Sequence, residues 1–144
     1  MAKTLEQKRA EYAYKIVERV KDQSYASDFS SLVSKMHSYI LTNGLGNTLA
    51  FLFSKGKEHH LLIAGIMADW ILRKCKIVST NGFDRFNDHW IFNSDKVKSK
   101  LGDILNGLVL ELDVYHYSVV TNELLSLFIW LKRFSDGIIE KGGK

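Results

Sequence analysis

The sequence has no proline and only one cysteine, Cys75, among its 144 residues. Because one thiol cannot close an internal disulfide, we exclude the class of small disulfide-stabilised domains and expect Cys75 to be buried or half-buried in a reducing cytoplasm. Most of the ten glycines fall at breaks in the hydrophobic pattern. With proline absent, this placement argues against a strand-rich sandwich and favours helices joined by short turns.

Long apolar runs are also absent. The longest, residues 61–68 with one glycine inside it, is far shorter than the roughly 20 residues needed to span a bilayer, so we predict no contact with a membrane. The first residues are charged, and we expect no cleaved signal peptide. The chain carries 20 Lys and Arg against 16 Asp and Glu, a formal charge of +4. This small excess favours contact with polyanions without requiring it.

Hydrophobic periodicity predicts one helical domain over residues 1–144. The fold class that we expect is all-α, a compact bundle of about six helices joined by short turns. The predicted helices cover residues 5–21, a segment ending at Asn43-Gly44, 47–54, 58–77, 94–112 and 117–139. The fourth is apolar nearly all round at its start, which predicts a central position in the bundle.

Helix ends and close approaches follow from residue type. Thr4 and Gln7 have the spacing of a capping box at the start of the first helix. Asn43-Gly44 suits the left-handed conformation that ends a helix. The other candidate caps are Asn47 or Thr48 for the third helix and Ser94 or Asp95 for the fifth, where Gly102 and Gly107 also leave room for a neighbouring helix.

Periodicity disappears between residues 79 and 93, the one extended loop. Four large aromatics, Phe83, Phe86, Trp90 and Phe92, alternate there with Arg85 and His89. A loop with so many aromatic rings either packs back onto the bundle or presents them to a partner protein or to nucleic-acid bases. The sequence leaves both alternatives open.

Two helices carry candidate binding surfaces. In the first, Lys8, Lys15 and Arg19 share a face that could follow a phosphate backbone, but Glu11, Glu18 and Asp22 lie at three- and four-residue spacings and could neutralise it. In the last, Leu125 and Ile129 lie away from the core stripe, beside Lys132 and Arg133. That second apolar side indicates either a central helix or a contact with another protein.

Signs of catalysis are weak. Asp84, Asp88 and His89 form the only local group with metal-ligand chemistry, and a site would need further ligands from elsewhere. Gly44-Leu-Gly46 lacks the following Lys-Ser or Lys-Thr of a phosphate loop and is interpreted as a turn. We therefore predict no metal site, no cofactor and no enzymatic activity.

The most specific pattern in the chain comes from two stretches. They are Ile40-Leu-Thr-Asn-Gly-Leu-Gly-Asn-Thr-Leu-Ala-Phe-Leu52 and Thr121-Asn-Glu-Leu-Leu-Ser-Leu-Phe-Ile-Trp-Leu-Lys-Arg-Phe134. With the amino-terminal Lys3-Thr-Leu-Glu-Gln-Lys-Arg-Ala10, they resemble the small all-helical subunit of the Cmr complex, the type III-B CRISPR RNA-guided effector. Ser118 departs from the family pattern, which often has arginine after the tyrosine, and the segment 83–92 has no counterpart in it.

The resemblance implies a non-catalytic structural subunit of a cytoplasmic antiviral complex. Copies would stack on one another and on the backbone subunits, lining the groove where guide RNA and target RNA pair. The residues that we assign to phosphate contacts are Lys8, Arg9, Lys15, Arg19, Lys132 and Arg133. Those assigned to contacts with other Cmr complex subunits or further copies are Leu125, Ile129, Phe83, Phe86 and Trp90. The alternative is a helical protein–protein adaptor without direct nucleic-acid contact.

Overall fold

The computed structural model describes residues 2–78 and 82–140. Within these ranges the chain forms helices and turns with no strand, which confirms the predicted all-α class. In chain order the helices are α1 (Leu5–Val20), α2 (Ala26–Lys55), α3 (Glu58–Ala68), α4 (Ser94–Ser99), α5 (Leu101–Leu105) and α6 (Val114–Ile138). Two π-helical segments, Asp69–Lys74 and Asn106–Leu110, continue α3 and α5, and the 3₁₀ turns Phe83–Arg85 and Trp90–Phe92 precede α4.

The core lies between α6 and the helices that pack on it. Helices α1 and α2 both contact α6, and α3 packs on α2. Every residue of α3 from His60 to Ala68 is buried, which confirms its predicted central position. The core stripe of α6 consists of Val120, Leu124, Leu127, Phe128 and Leu131. Burying one such leucine or phenylalanine side chain contributes about 1.5 to 3 kcal/mol, so the stripe fixes how α6 is rotated.

The predicted corner is at Gly44, where φ is 82° and ψ is 167° inside the otherwise helical α2. This positive φ suits glycine because it has no Cβ. The predicted caps were wrong, since both side chains donate to carbonyls of the preceding turn, Asn47 to Asn43 at 3.1 Å and Thr48 to Gly44 at 2.7 Å. Tyr117 of α6 supplies the acceptor, and the Leu45 N–H donates to its hydroxyl at 3.1 Å. The corner is thus tied to α6.

Other predicted boundaries differ for local reasons. The capping box of Thr4 and Gln7 is present as predicted. The predicted fifth helix is interrupted at Lys100 (φ −102°, ψ 13°), and its cap is the Asn93 side chain rather than Ser94 or Asp95. The last helix starts three residues earlier than predicted.

The earlier start of α6 has a visible cause. The Asp113 carboxylate accepts from the His116 N–H at 2.8 Å and so caps the helix before Val114. Of the two glycines predicted to admit a neighbour, Gly107 does so, because a Cβ there would lie 2.9 Å from a methyl of Leu72. Gly102 has no atom that close to its Cβ position and faces open space.

No helix in the described part of the chain combines the length and the apolar character needed to cross a lipid bilayer.

Candidate nucleic-acid and subunit interfaces

Two buried carboxylates organise the side of the bundle where α3 becomes π-helical. The first is Glu123 of α6, which accepts hydrogen bonds from Arg9 Nε at 2.6 Å and Arg9 Nη2 at 2.7 Å. It also accepts one from the indole N–H of Trp70 at 2.8 Å. The Glu123 hydrogen bonds raise the pKa of Arg9 above its ordinary value. Arg9 and Glu123 thus join α1 to α6 as a charged, forked pair.

The second carboxylate is Asp69, the first residue of the π-helical segment. It accepts from the Tyr12 hydroxyl at 2.7 Å, from the Trp90 indole at 2.8 Å and from Arg73 Nε at 2.6 Å. Burial, with the charge of Asp69 beside it, raises the pKa of Tyr12 well above its ordinary value. Asp69 therefore connects α1, the π-helical segment and the aromatic loop through one side chain.

The aromatic loop is held against the bundle by the same group. Arg73 donates to the carbonyl of Phe86 at 3.2 Å and contacts the carboxylate of Asp88, while Lys74 lies 3.0 Å from that carboxylate. Hydrogen bonds from Arg73 and Lys74 lower the pKa of Asp88 to about 2. The loop's position is therefore set by ion pairs as well as by its aromatic rings.

The rings of the loop pack on one another. Phe83 and Trp90 are buried, and the ring centroids of Phe83, Phe86 and Trp90 lie 5.0 to 5.6 Å apart in pairs. Of the two alternatives that the sequence left open for this loop, packing onto the bundle describes residues 82–93. Residues 79–81 lie outside the described part of the chain. Contact of Phe83, Phe86 and Trp90 with a partner stays a prediction, and burial leaves Phe83 and Trp90 little surface for it.

A groove of about 530 Å³ runs between α1, the π-helical segment and the loop. Lys8, Lys15 and Arg19 line its α1 side, and Lys74 and His89 line the other. Three of the six residues assigned to phosphate contacts from the sequence therefore come together on one surface.

These cations differ in how far they are already paired. Lys15 lies 3.3 Å from Glu11, which Lys3 also contacts at 2.7 Å. Arg19 instead leaves its own helix, with its guanidinium 4.1 Å from the centre of the Phe92 ring and in contact with His89. The predicted pairing of cations with carboxylates of the same helix is thus confirmed for Lys15 and wrong for Arg19.

The other assigned cations lie elsewhere. Arg9 is engaged with Glu123, and a phosphate contact there would compete with that pair. Lys132 and Arg133 are exposed on α6 outside the groove, and Lys132 pairs with Asp136 at 3.1 Å. Their phosphate contacts stay predictions.

The proposed protein-contact residues of α6 lie on the same outward face. Leu125 is half-buried and Ile129 is 44% exposed. A face with a large exposed apolar side chain between basic residues is typical of a protein-contact surface.

Comparison with known proteins identifies the family. The sequence model of CRISPR-associated protein (Cas_Cmr5) matches residues 5–138. The chain belongs to the Cmr5 family. A crystal structure of a CRISPR-associated Cmr5 family protein from Thermus thermophilus has the same fold, with a TM-score of 0.66 and 22% identity over 96% of this chain and 100% of that one. This Cmr5-family chain is therefore a subunit of a Cmr complex, a type III-B CRISPR effector, and the suspected resemblance is confirmed.

The Cmr5 sequence motifs correspond to tertiary contacts in this chain. The glycine of the Asn43-Gly44 motif makes the corner, and Glu123 of the closing motif makes the buried pair with Arg9. Sequence reasoning missed both buried carboxylates. A signal for them was present, because Asp69 interrupts an otherwise apolar run over residues 61–72, and Glu123 lies beside Val120 and Leu124 on the core face of the last helix.

A second exposed apolar surface of this Cmr5-family chain was also missed. Leu110, Val114 and Tyr115 are 67%, 88% and 70% exposed around the start of α6. The hydrophobic pattern places Leu110 inside the predicted fifth helix and places Val114 and Tyr115 in the connection that follows it. An exposed apolar surface at the start of α6 was therefore not predicted.

The residues weighed as metal ligands have other partners in this Cmr5-family chain. Asp84 lies 3.3 Å from Lys76, and Asp88 is held by Arg73 and Lys74. Over residues 2–78 and 82–140, no group of three histidine, cysteine, aspartate or glutamate side chains is arranged to hold a metal ion. Cys75 lines the groove, and burial raises the pKa of its thiol to about 12, so the reactive thiolate is scarce at neutral pH.

Proposed function

We propose that this chain is a non-catalytic structural subunit of a cytoplasmic antiviral complex that stacks with copies of itself and with the backbone subunits to line the groove for guide RNA and target RNA. The observation that carries the RNA part is the surface formed by Lys8, Lys15 and Arg19 at the α1 groove. Cations along one edge of a helix can bind successive phosphates of an RNA backbone. Phosphate contacts of this kind supply much of the affinity of proteins for nucleic acids.

The test is the salt dependence of target binding by the assembled complex. Replacing Lys8, Lys15 and Arg19 together with glutamine is expected to weaken binding and to reduce the slope of log affinity against log salt by about 0.7 to 0.9 for each phosphate that is no longer neutralised. A matched control replaces Lys35, Lys57 and Lys98, three exposed lysines outside the groove, and is expected to leave the slope unchanged.

The second candidate function is a protein–protein adaptor without nucleic-acid contact. It is favoured by the pairs that already neutralise part of the surface, Glu11 with Lys3 and Lys15, and Glu123 with Arg9. It predicts that the triple variant and the control variant give the same slope. That result would remove the RNA-lining role and leave the assembly role.

The stacking part rests on two unlike apolar surfaces of α6. Val114 and Tyr115 are exposed at its first turn, and Ile129 is exposed farther along, about 21 Å from Tyr115 at 1.5 Å per residue. A head-to-tail contact uses two different surfaces of each copy and extends into a filament when the rotation does not close.

Mixing variants tests whether the two surfaces meet. Val114→Glu and Ile129→Glu should each prevent stacking alone, whereas an equal mixture should form dimers, since one intact surface remains on each copy. Mass measurement of the mixture distinguishes the two cases. A mixture that stays monomeric would show that these surfaces do not bind each other.

A further inference from the structure

The groove beside α1 is more apolar than a phosphate surface requires. Leu5, Ile16, Trp70 and Phe92 line it together with the lysines, and Leu5 is 45% exposed. Phosphate oxygens are bound by cations and N–H groups and gain nothing from aliphatic or aromatic surface. The lining therefore indicates a ligand that is anionic at one end and apolar or aromatic at the other.

The arrangement of Arg19 narrows the class of ligand. Its guanidinium lies over the Phe92 ring at 4.1 Å from the centroid and also contacts His89, while the residue as a whole is exposed. One side of the planar group is thus covered by an aromatic ring, and the exposure of the residue leaves part of the group accessible to a ligand. Unpaired RNA bases stack on guanidinium planes and aromatic rings of this kind.

The stacking surface is held in place before any ligand arrives. Phe92 and His89 belong to the loop that Asp69 fixes through Trp90, and Arg73 fixes the same loop through the Phe86 carbonyl. A surface that is already ordered avoids much of the entropic cost of binding. The volume of about 530 Å³ falls in the range of pockets that take single small molecules.

We propose that this groove binds one unpaired RNA nucleotide, with its base stacked on Arg19 and its phosphates at Lys8 and Lys15. The inference rests on the proposed function, because RNA has to reach this face in the assembled complex. The inference goes further than a phosphate-binding surface. It requires an RNA base that is either outside the guide–target duplex or displaced from the stack of bases within it.

The experiment uses the assembled complex with guide RNA and a target RNA that carries 4-thiouridine at one position at a time, because this base crosslinks through its own ring. We expect at least one position to crosslink to residues 16–19 or 89–92. An abasic nucleotide at that position should lower target affinity about five-fold or more, as expected for losing one stacked base.

Two arginine variants separate stacking from charge. Arg19→Lys keeps the positive charge and removes the plane, so it should abolish most of the base crosslink and make the abasic and intact targets bind alike. Arg85→Lys changes an exposed arginine outside the groove and should change neither result. Melting temperatures of the isolated variants verify that each still folds.

The outcomes distinguish this inference from the function on which it rests. RNA that crosslinks to the α1 surface while abasic targets and Arg19→Lys have no effect would indicate a phosphate surface only, which overturns the nucleotide site and keeps the RNA-lining role. The absence of any RNA crosslink to this chain would overturn both. A crosslink from another subunit into the same groove would assign it to a protein contact and also overturn the nucleotide site.

Discussion

Removing the Glu123 carboxylate should cause a large loss of stability. The side chains of Arg9 and Glu123 are only 19% and 5% exposed, so Glu123→Ala leaves a largely buried guanidinium without its counter-charge. It also leaves the Trp70 indole N–H without an acceptor. Breaking a buried pair from one side costs about 3 to 5 kcal/mol, because the remaining charge is poorly solvated.

We expect Glu123→Ala to lower the free energy of unfolding by about 4 kcal/mol. The access of Arg9 to water reduces this loss, whereas the missing acceptor for the Trp70 indole increases it. For a domain of this size, about 2 to 4 °C accompanies each kcal/mol, so the melting temperature should fall by about 8 to 16 °C. Urea unfolding followed by circular dichroism gives the free energy directly.

Two further variants test whether the loss comes from an unpaired buried charge. Glu11→Ala breaks an exposed pair on the same helix as Arg9 and should change the melting temperature little, since exposed pairs contribute little. Replacing Arg9 with methionine and Glu123 with leucine together should recover about half of the loss, since both charges of this pair are then removed. A loss below about 1 kcal/mol for Glu123→Ala would refute the reasoning, because that is the range of a solvent-exposed pair.

Three other predictions follow from the surroundings of single residues. Gly44→Ala should destabilise the chain by about 1 to 3 kcal/mol, because the combination of φ 82° and ψ 167° is essentially restricted to glycine. Gly102→Ala, in a helix facing open space, should stabilise it by about 0.5 to 1 kcal/mol, and denaturant unfolding measures both. Cys75, whose pKa is raised to about 12, should react with iodoacetamide at mildly alkaline pH far more slowly in the folded protein than in urea, and equal rates would contradict its burial. The pKa of Asp88 is lowered to about 2 by hydrogen bonds from Arg73 and Lys74, so the stability that it adds is present above its ordinary value near 3.8 and is lost as the pH falls through about 2. The melting temperature of the wild type should therefore exceed that of Asp88→Asn above about pH 4 and approach it near pH 2, and a difference that grows on acidification would contradict the sign.

The helices and the core could be predicted because the residues that a helix buries recur with the helical period in the sequence. The apolar start of α3 identified the central helix, and the stripe of α6 identified its core face. The corner at Gly44 could be predicted because few residues other than glycine adopt its backbone conformation. Helix ends were less predictable, since Asn93 and Asp113 act as caps at positions where neighbouring polar residues were equally plausible.

The charged network could not be derived from spacing. Arg9 and Glu123 are 114 positions apart, and only the packing of α1 on α6 brings them together. Lys8 and Arg9 are cationic neighbours on a basic helix, yet one residue of helical rotation turns Arg9 towards α6 and Lys8 towards the groove. A sequence shows that a carboxylate interrupts an apolar stripe, but the identity of its partner depends on the tertiary structure.

The same limit explains why the α1 surface was ambiguous from sequence. The three-residue spacing offered Arg19 the carboxylate of Asp22, but Asp22 lies beyond the end of α1. Arg19 turns instead to Phe92 and His89 in the loop. The loop thus decides how one basic residue of α1 is presented. A relative with the same α1 but without this loop would keep its lysines for phosphate contacts and lose the aromatic support under the guanidinium. Among relatives, the nucleotide site should therefore accompany the loop rather than the cations of α1.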